Sequence, residues 1–591
     1  CKGTTPGKHD PSRFGTLRFE DLAAGQGVVT LRPTWLLEQR RGTETLDSAE
    51  GNSSNTGSDA SIVIGESAVV NGFVQADANG NASVSNDGEV STSMFAQANG
   101  NTNSSIFASS SDGAGFNQSS QSSSNESTGG VATIAVGETG TVGDGVDASG
   151  FAGADVSIDG SVGTPGASGF AVARSSGNAN TFEQESSSDF NSGANSFARV
   201  STNTSTGSDA SLSVGETGEV NGFVDVFANN DAAAANAGII NGSVFTTASG
   251  SDSSDGFSSS SDGAGNSQSS SFSTNASTGG NASIDNAAGG LIGLEATSPV
   301  SVSVFGNTSG SVSNAGRING NVSAAASGSM GENANNNNFS SSTDADTGVT
   351  TSVNESVRAN ASTNLGGDAS FANAEGGLVT GQVDVNGAGS ADIVNEGAVI
   401  GRTFANSRAT DSAFLETIVT TTVNVPGADG GTTSTRELQR DQSNVSSGGD
   451  VTGIYAGTNG AVQFAPFGGA SDGSVFQSAD GNSSAIVSGS IFGSFNGNAT
   501  GSEFASSFSD SRTSAFDADG DQRSFDREYL YEESNRQAGS DSSLIVDGGR
   551  ITGSASVYAT GSASIQIAAD GAVDGNLNAT AQGFGGYDYS E

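Results

Sequence analysis

Among 591 residues there are one cysteine, one tryptophan, one histidine, two methionines and seven prolines. Each scarcity excludes something. The single cysteine is Cys1, so no intrachain disulfide can form and folding must rest on backbone ladders. The single histidine is His9, which rules out a Ser/His/Asp triad and any histidine metal cluster. Lysine occurs only at Lys2 and Lys8, so the glycine-rich stretches lack the lysine of a phosphate-binding loop. Gly469-Ala-Ser471-Asp-Gly473 fits the pattern of a nucleophile elbow, but with 87 glycines in the chain the match is expected by chance. No run approaches the ~18 apolar residues of a membrane-crossing helix. The expectation is a protein that is not an enzyme.

Positive charge is also scarce. The formal net charge is −44, and residues 1–50 carry none of it, holding seven basic and seven acidic residues. The other 541 residues hold 13 basic and 57 acidic ones. An acidic body repels nucleic acid and anionic membrane, and keeps a repetitive chain soluble. Large apolar residues are thinly spread among Gly, Ser, Asn and Ala, so a thick globular core is excluded. Disorder is the bland alternative for such a composition. Against it stand apolar residues at every second position over many short stretches.

What the chain has in abundance is repetition. TGSDASIVIGESAVVNGFV at 56–74 returns as TGSDASLSVGETGEVNGFV at 206–224, and SSSDGAGFNQSS at 109–120 returns as SSSDGAGNSQSS at 259–270. Shorter echoes give seven modules, starting near 56, 128, 206, 278, 365, 447 and 539. A second, weaker copy follows inside each module, as in NASVSNDGEV (81–90) and ADVSIDGSV (154–162). Ala60, Ile62 and Ile64 alternate with outward residues; Gly65-Glu66 breaks the run, and Asn71-Gly72 supplies a turn tolerant of positive φ. Short strands, punctuated by Gly or Asn and recurring about every 22 residues, describe an all-β, elongated β-solenoid of the parallel β-helix type. One coil cannot bury its apolar stripe alone, so stacked coils about 4.8 Å apart must share a narrow core, where Ser and Asn can form ladders.

Each module also carries a Ser- and Asp-rich segment opening on a Phe: Phe107, Phe182, Phe257, Phe339, Phe404 and Phe504. These read as insertions at one corner of the solenoid. Two are larger. Residues 404–446 contain ETIVTTTVNV, a PGADGG turn and TTSTREL, which is a hairpin signature; residues 504–538 gather the most charged and aromatic stretch of the body. The domain reading is therefore a non-repeat arm or cap at 1–55 and a solenoid at 56–591.

The arm holds VVTLRPTWLLEQRR at 28–41, with Pro33 ending any central strand. It reads as a cap over the first coil or as an arm contacting another subunit through Val28, Val29, Leu31, Trp35 and Leu36. Asp517-Ala-Asp519-Gly-Asp521 places three carboxylates at alternate positions, with Glu528 in the twelfth position of an EF-hand-like loop. Gln522 stands where that loop needs glycine, so the segment reads either as calcium ligands Asp517, Asp519 and Asp521 or as an exposed acidic loop.

Cys1, followed by Lys-Gly-Thr-Thr-Pro-Gly, resembles the start of a mature bacterial lipoprotein, which implies a lipid on Cys1 and attachment to a membrane through it. By repeat style, residues 56–591 resemble repetitive β-solenoid fibre subunits and adhesin passengers of bacterial surfaces. That resemblance implies an extracellular structural protein whose partner is itself, in a head-to-tail homopolymer filament joined through the arm. The alternative it implies is a monomeric or lipid-anchored adhesin using the variable segments.

Overall fold

The structure, a computed structural model, describes residues 18–19, 28–32, 45–55, 57–165, 169–293, 299–427, 430–464, 469–583 and 586–590. Among them every regular element is a strand. Three parallel sheets of 14 strands each form the faces of a solenoid. The first face runs from Ala60–Ile64 to Ala563–Ile567, in strands of five or six residues. The second runs from Val69–Val70 to Ala572–Val573 in strands of two, and the third from Val74–Ala78 to Leu577–Ala581. One strand from each face makes a coil, so the chain winds fourteen coils, numbered here 1 to 14. First-face strands of the odd coils begin at Ala60, Val131, Asp209, Asn281, Asp368, Val451 and Ser542. At about 4.8 Å per coil the stack is about 67 Å long.

The alternation seen in the sequence becomes columns in space. Val84, Ile134, Val156, Leu212, Ala234, Ile284, Val312, Phe371 and Ile393 are successive partners along the first face, all buried. The second face contributes one inward residue per coil, including Val142, Val162, Val220, Ile240, Ile292 and Ile318. The core is thin because each coil offers only a few inward side chains, and it is continuous because those residues share a register. Close packing of the columns explains why small and large residues must complement their neighbours above and below, as Ala234 does between Leu212 and Ile284.

One buried column is polar. Asn236 donates to Asn286, Asn286 to Asn314, Asn314 to Asn373 and Asn373 to Asn395, each from Nδ2 to Oδ1 at 2.8 Å. Asn395 passes the ladder on to Asn459. The same side chains reach backbone carbonyls at the corner between first and second faces, such as Gly290 and Gly377. A buried amide left unpaired is costly, so the column works only when each coil supplies the next partner.

The polar segments are not loops. After each even coil from 2 to 12 the chain leaves the solenoid as a long antiparallel hairpin: Asn101–Ser111 with Phe116–Ser127, Gly177–Asp189 with Ala194–Thr206, and Gly250–Asp262 with Ser267–Thr278. Gly328–Thr343 with Thr350–Gly366, Thr410–Val425 with Gly431–Ser446, and Gly501–Asp517 with Gln522–Ala538 complete the set. Neighbouring hairpins pair with each other, giving one antiparallel sheet of 16 strands that runs alongside the solenoid. Phe404 belongs to the third-face strand Thr403–Ser407, where its ring stacks on Phe476 at 4.9 Å; the hairpin there begins at Thr410. The period-2 apolar signal is missing from these strands because both of their faces meet solvent, so neither needs apolar residues.

The arm enters the same sheet. Val28–Arg32 pairs antiparallel with Glu50–Ser54 of its own chain, and Thr45–Asn55 pairs with Asn101–Ser111. The strand stops at Arg32, immediately before Pro33, as proline's missing N–H requires. At the other edge Gly586–Ser590 pairs with Glu532–Arg536.

A core with this geometry predicts unequal sensitivity. Ile284→Asp places an unpaired charge in the middle of the core and should destabilise by about 4 kcal/mol or more, whereas Ser109→Ala, on the solvated sheet, should cost under about 0.5 kcal/mol. Denaturant unfolding followed by circular dichroism checks this; equal effects would contradict the division into core and sheet.

Candidate functional site

The functional candidates lie on the 16-stranded sheet, since it presents long side-chain rows to solvent on both faces. Five of its six hairpin tips share one device, an aspartate whose side chain accepts from backbone N–H groups of the turn. Asp262 Oδ1 accepts from the N–H groups of Ala264 and Asn266 at 2.8 and 3.0 Å, and Asp112 does the same with Ala114 and Phe116 at 2.8 and 2.9 Å. Gly263, with φ of +73°, supplies the left-handed step that a side chain would resist. The repeated SSSDGAG is thus a strand end and its turn. The Phe116 and Ala114 N–H groups hold the Asp112 carboxyl below its ordinary range; at Asp262 the Asn266 side chain is the larger cause, and at Asp344 the Thr347 N–H.

Asp517 repeats this pattern, accepting from the N–H groups of Asp519 and Asp521 at 3.2 and 2.8 Å. One of the three expected calcium ligands is therefore engaged with the turn's own backbone. Among the described residues no group of three acidic, histidine or cysteine side chains is placed to hold a metal ion. The structure does not bring Asp517, Asp519 and Asp521 together as a ligand set.

Cross-strand partners share a face, and one face of the last hairpin is aromatic. Phe504, Phe508 and Phe516 lie on its first strand; Phe525, Tyr529 and Tyr531 lie on the second, with Phe508 opposite Tyr531. Asp510 sits in the middle. It accepts from Arg527 Nε at 2.8 Å, and Arg512 closes on its other oxygen at 2.6 Å. These guanidiniums, Arg527 first, hold the carboxyl at about 2. Although the sheet is a single layer, Asp510 is only 1% exposed. The Arg527 guanidinium also lies 5.4 Å from the centre of the Tyr529 ring. On the same face of the preceding hairpin Arg440 pairs with Glu416 and lies 5.8 Å from the Phe414 ring centre.

The opposite face is concave near its base. A groove of about 1040 Å³ crosses seven strands there, floored by Ala334, Ala359, Ala361, Ala413 and Ala505 and ended by Phe272. Glu332, Asp441 and Glu532 line it.

Of the other residues singled out by sequence, Val28, Val29 and Leu31 are in the arm strand second from the sheet edge, between Arg18–Phe19 and Thr45–Asn55. Trp35, Leu36 and Cys1 lie outside the described residues. The aromatic face was half legible. Its composition stands out at 504–538, but which aromatics share a side depends on the hairpin register, and that follows from the turn at Asp517–Asp521.

The Asp510 cluster gives a pH prediction. Its folded carboxyl titrates near 2, below the ordinary value near 4 of an unfolded chain. Its stabilisation is therefore complete above pH ~4 and is lost as pH falls through about 2. Asp510→Asn should lower stability at pH 7, and the gap to the unaltered protein should close by pH 2. Denaturant midpoints at the two pH values measure it; a gap constant with pH would contradict the cluster.

No family model, curated protein or solved structure matches this chain.

Proposed function

We propose that the protein is a structural subunit of an extracellular surface filament, with copies joined head to tail. The supporting observation is the solenoid itself: a stack that grows in one dimension and, among the described residues, ends in strands with one edge unpaired at both poles, Ala60–Ile64 at one and Ala563–Ile567 at the other. Such ends are where repeat proteins need a covering, and a second copy offers one of the right shape. A contact between two different ends is heterologous and does not close on itself, so it propagates into a fibre. The arm enters this reading at one pole, where Val28, Val29 and Leu31 lie in the strand paired with Glu50–Ser54, at the end of the sheet that a neighbouring copy would meet.

The aromatic and arginine face around Asp510 favours a second reading, a surface adhesin. Exposed Tyr529 and Phe525 beside paired arginines are the residue types that anchor interfaces. In both readings the protein works outside the cell, and a lipid on Cys1 would add a membrane attachment.

Electron microscopy of the purified chain over a range of concentration and salt separates the two. The filament reading predicts unbranched fibres with an axial repeat near 67 Å, one subunit of fourteen coils. Added salt should favour them by screening repulsion between copies of charge −44. Isolated rods under every condition would overturn it.

A further inference from the structure

We infer, resting on the filament reading, that the joint is made by coil 14 of one copy seated on coil 1 of the next, and that Val28–Arg32 holds open the place that the neighbour's Gly586–Ser590 fills.

The first support is the repetition itself. Coil 1 (from TGSDASIVIGESAVVNGFV) has a near-twin in coil 5 (from TGSDASLSVGETGEVNGFV). Coil 5 is seated on coil 4, with Leu212 on Val156, Val220 on Val162 and Val224 on Ala171. The edge that coil 5 turns toward coil 4 is the edge that coil 1 turns outward. Residues suited to stacking on an even-numbered coil are therefore presented to solvent at the start of the chain. Coil 14 is an even coil.

The second support is the bareness of the other end. Leu577 is 52% exposed, whereas the residues in its column one, two and three coils inward, Ala555, Phe495 and Val475, are 0% exposed. Ile565 and Val573 are only partly buried, as are Ile62 and Val70 in coil 1. None of the described strands before coil 1 or after coil 14 covers these ends, because all of them are diverted into the 16-stranded sheet. Following the columns through the stack places Ile62 on Ile565, Val70 on Val573 and Val74 on Leu577 across the joint.

The third support concerns the sheet. Glu532 and Glu50 stand in one cross-strand row, reached through Ser507, Asp441, Leu415, Ala359 and on to Ile106. Ser590 is opposite Glu532, and Arg32 is opposite Glu50. Gly586 and Val28 likewise stand opposite Arg536 and Ser54, at the base of the sheet. The strands Val28–Arg32 and Gly586–Ser590 thus occupy the same five rows and run in the same direction at opposite ends of the sheet, with only the two-residue strand Arg18–Phe19 paired outside Val28–Arg32. With coil 14 seated on coil 1 of the next copy, the strand due beside Thr45–Asn55 is the neighbour's Gly586–Ser590, running antiparallel as the sheet requires. Val28–Arg32 occupies that slot in the single chain. It satisfies an edge that would otherwise pair indiscriminately, and the neighbour's strand displaces it when the coil ends also meet.

Two variants test this. Ser61→Cys with Ser564→Cys, in a Cys1→Ser background, puts two outward thiols on adjacent parallel strands at the joint, about 5 Å apart at Cα and within disulfide reach. Oxidised fibres should then give a ladder of covalent oligomers on a non-reducing gel, and Ser61→Cys with Asn578→Cys, on different faces, should not. Fibres without a ladder in the matched pair would overturn this joint and leave the filament reading standing; absence of fibres from the unaltered chain would remove both. Deleting residues 1–44, with folding checked by circular dichroism, should lower the concentration needed for fibres several-fold. A folded truncated chain that forms none would show the arm to be a donor and overturn its role as placeholder.

Discussion

The structure depends on one constraint: every coil must sit on the next in register, so that each strand's N–H and C=O groups are satisfied by the coils above and below. Leaving a buried backbone group unpaired costs about as much as a lost hydrogen bond, and in a chain with so thin a core little else can compensate. The same register fixes the side chains. It lines up Ile134 with Val156, aligns asparagine with asparagine through five coils, and returns each hairpin beside the one before it. The hairpin sheet is therefore not a separate domain. Its strand spacing is the rise of two coils, shared between the two strands that each module sends out.

This explains an otherwise odd feature, a wide sheet with solvent on both faces. A free hairpin is marginal in water. Here each one is rooted at both ends in the solenoid, so much of the entropy of bringing its strands together is already accounted for by the coils. Cross-strand serine pairs, such as Ser119 with Ser186 at 2.7 Å, and the aspartate turns add local order. Because no core restricts either face, substitution there is free to follow interaction, and the aromatics and arginines gather at one end of the sheet.

The solenoid was legible because its physical demand is periodic. Ala60, Ile62 and Ile64 alternate, Asn71-Gly72 turns, and the pattern returns, so coils and inward columns follow from spacing alone. The hairpin sheet was not legible as a sheet. Segments such as SSSDGAGFNQSS carry no alternation, since neither side of the strand is buried, and their long pairing partners lie in other modules. Only Thr410–Val425 showed itself as a strand, through its β-branched Thr and Val residues. The acidic run at Asp517–Asp521 is ambiguous in sequence for a related reason: alternate carboxylates in a turn look alike whether they bind a cation or the backbone N–H groups beside them.

The most direct test of coil register as the organising constraint is to remove one repeat cleanly. Deleting residues 206–277 takes out coils 5 and 6 with their hairpin, and leaves coil 4 to be followed by coil 7. Small-angle scattering and circular dichroism of this variant should show an unchanged β signal per residue and a rod shorter by about 10 Å, the rise of two coils. Loss of the fold, or a rod of unchanged length, would contradict it.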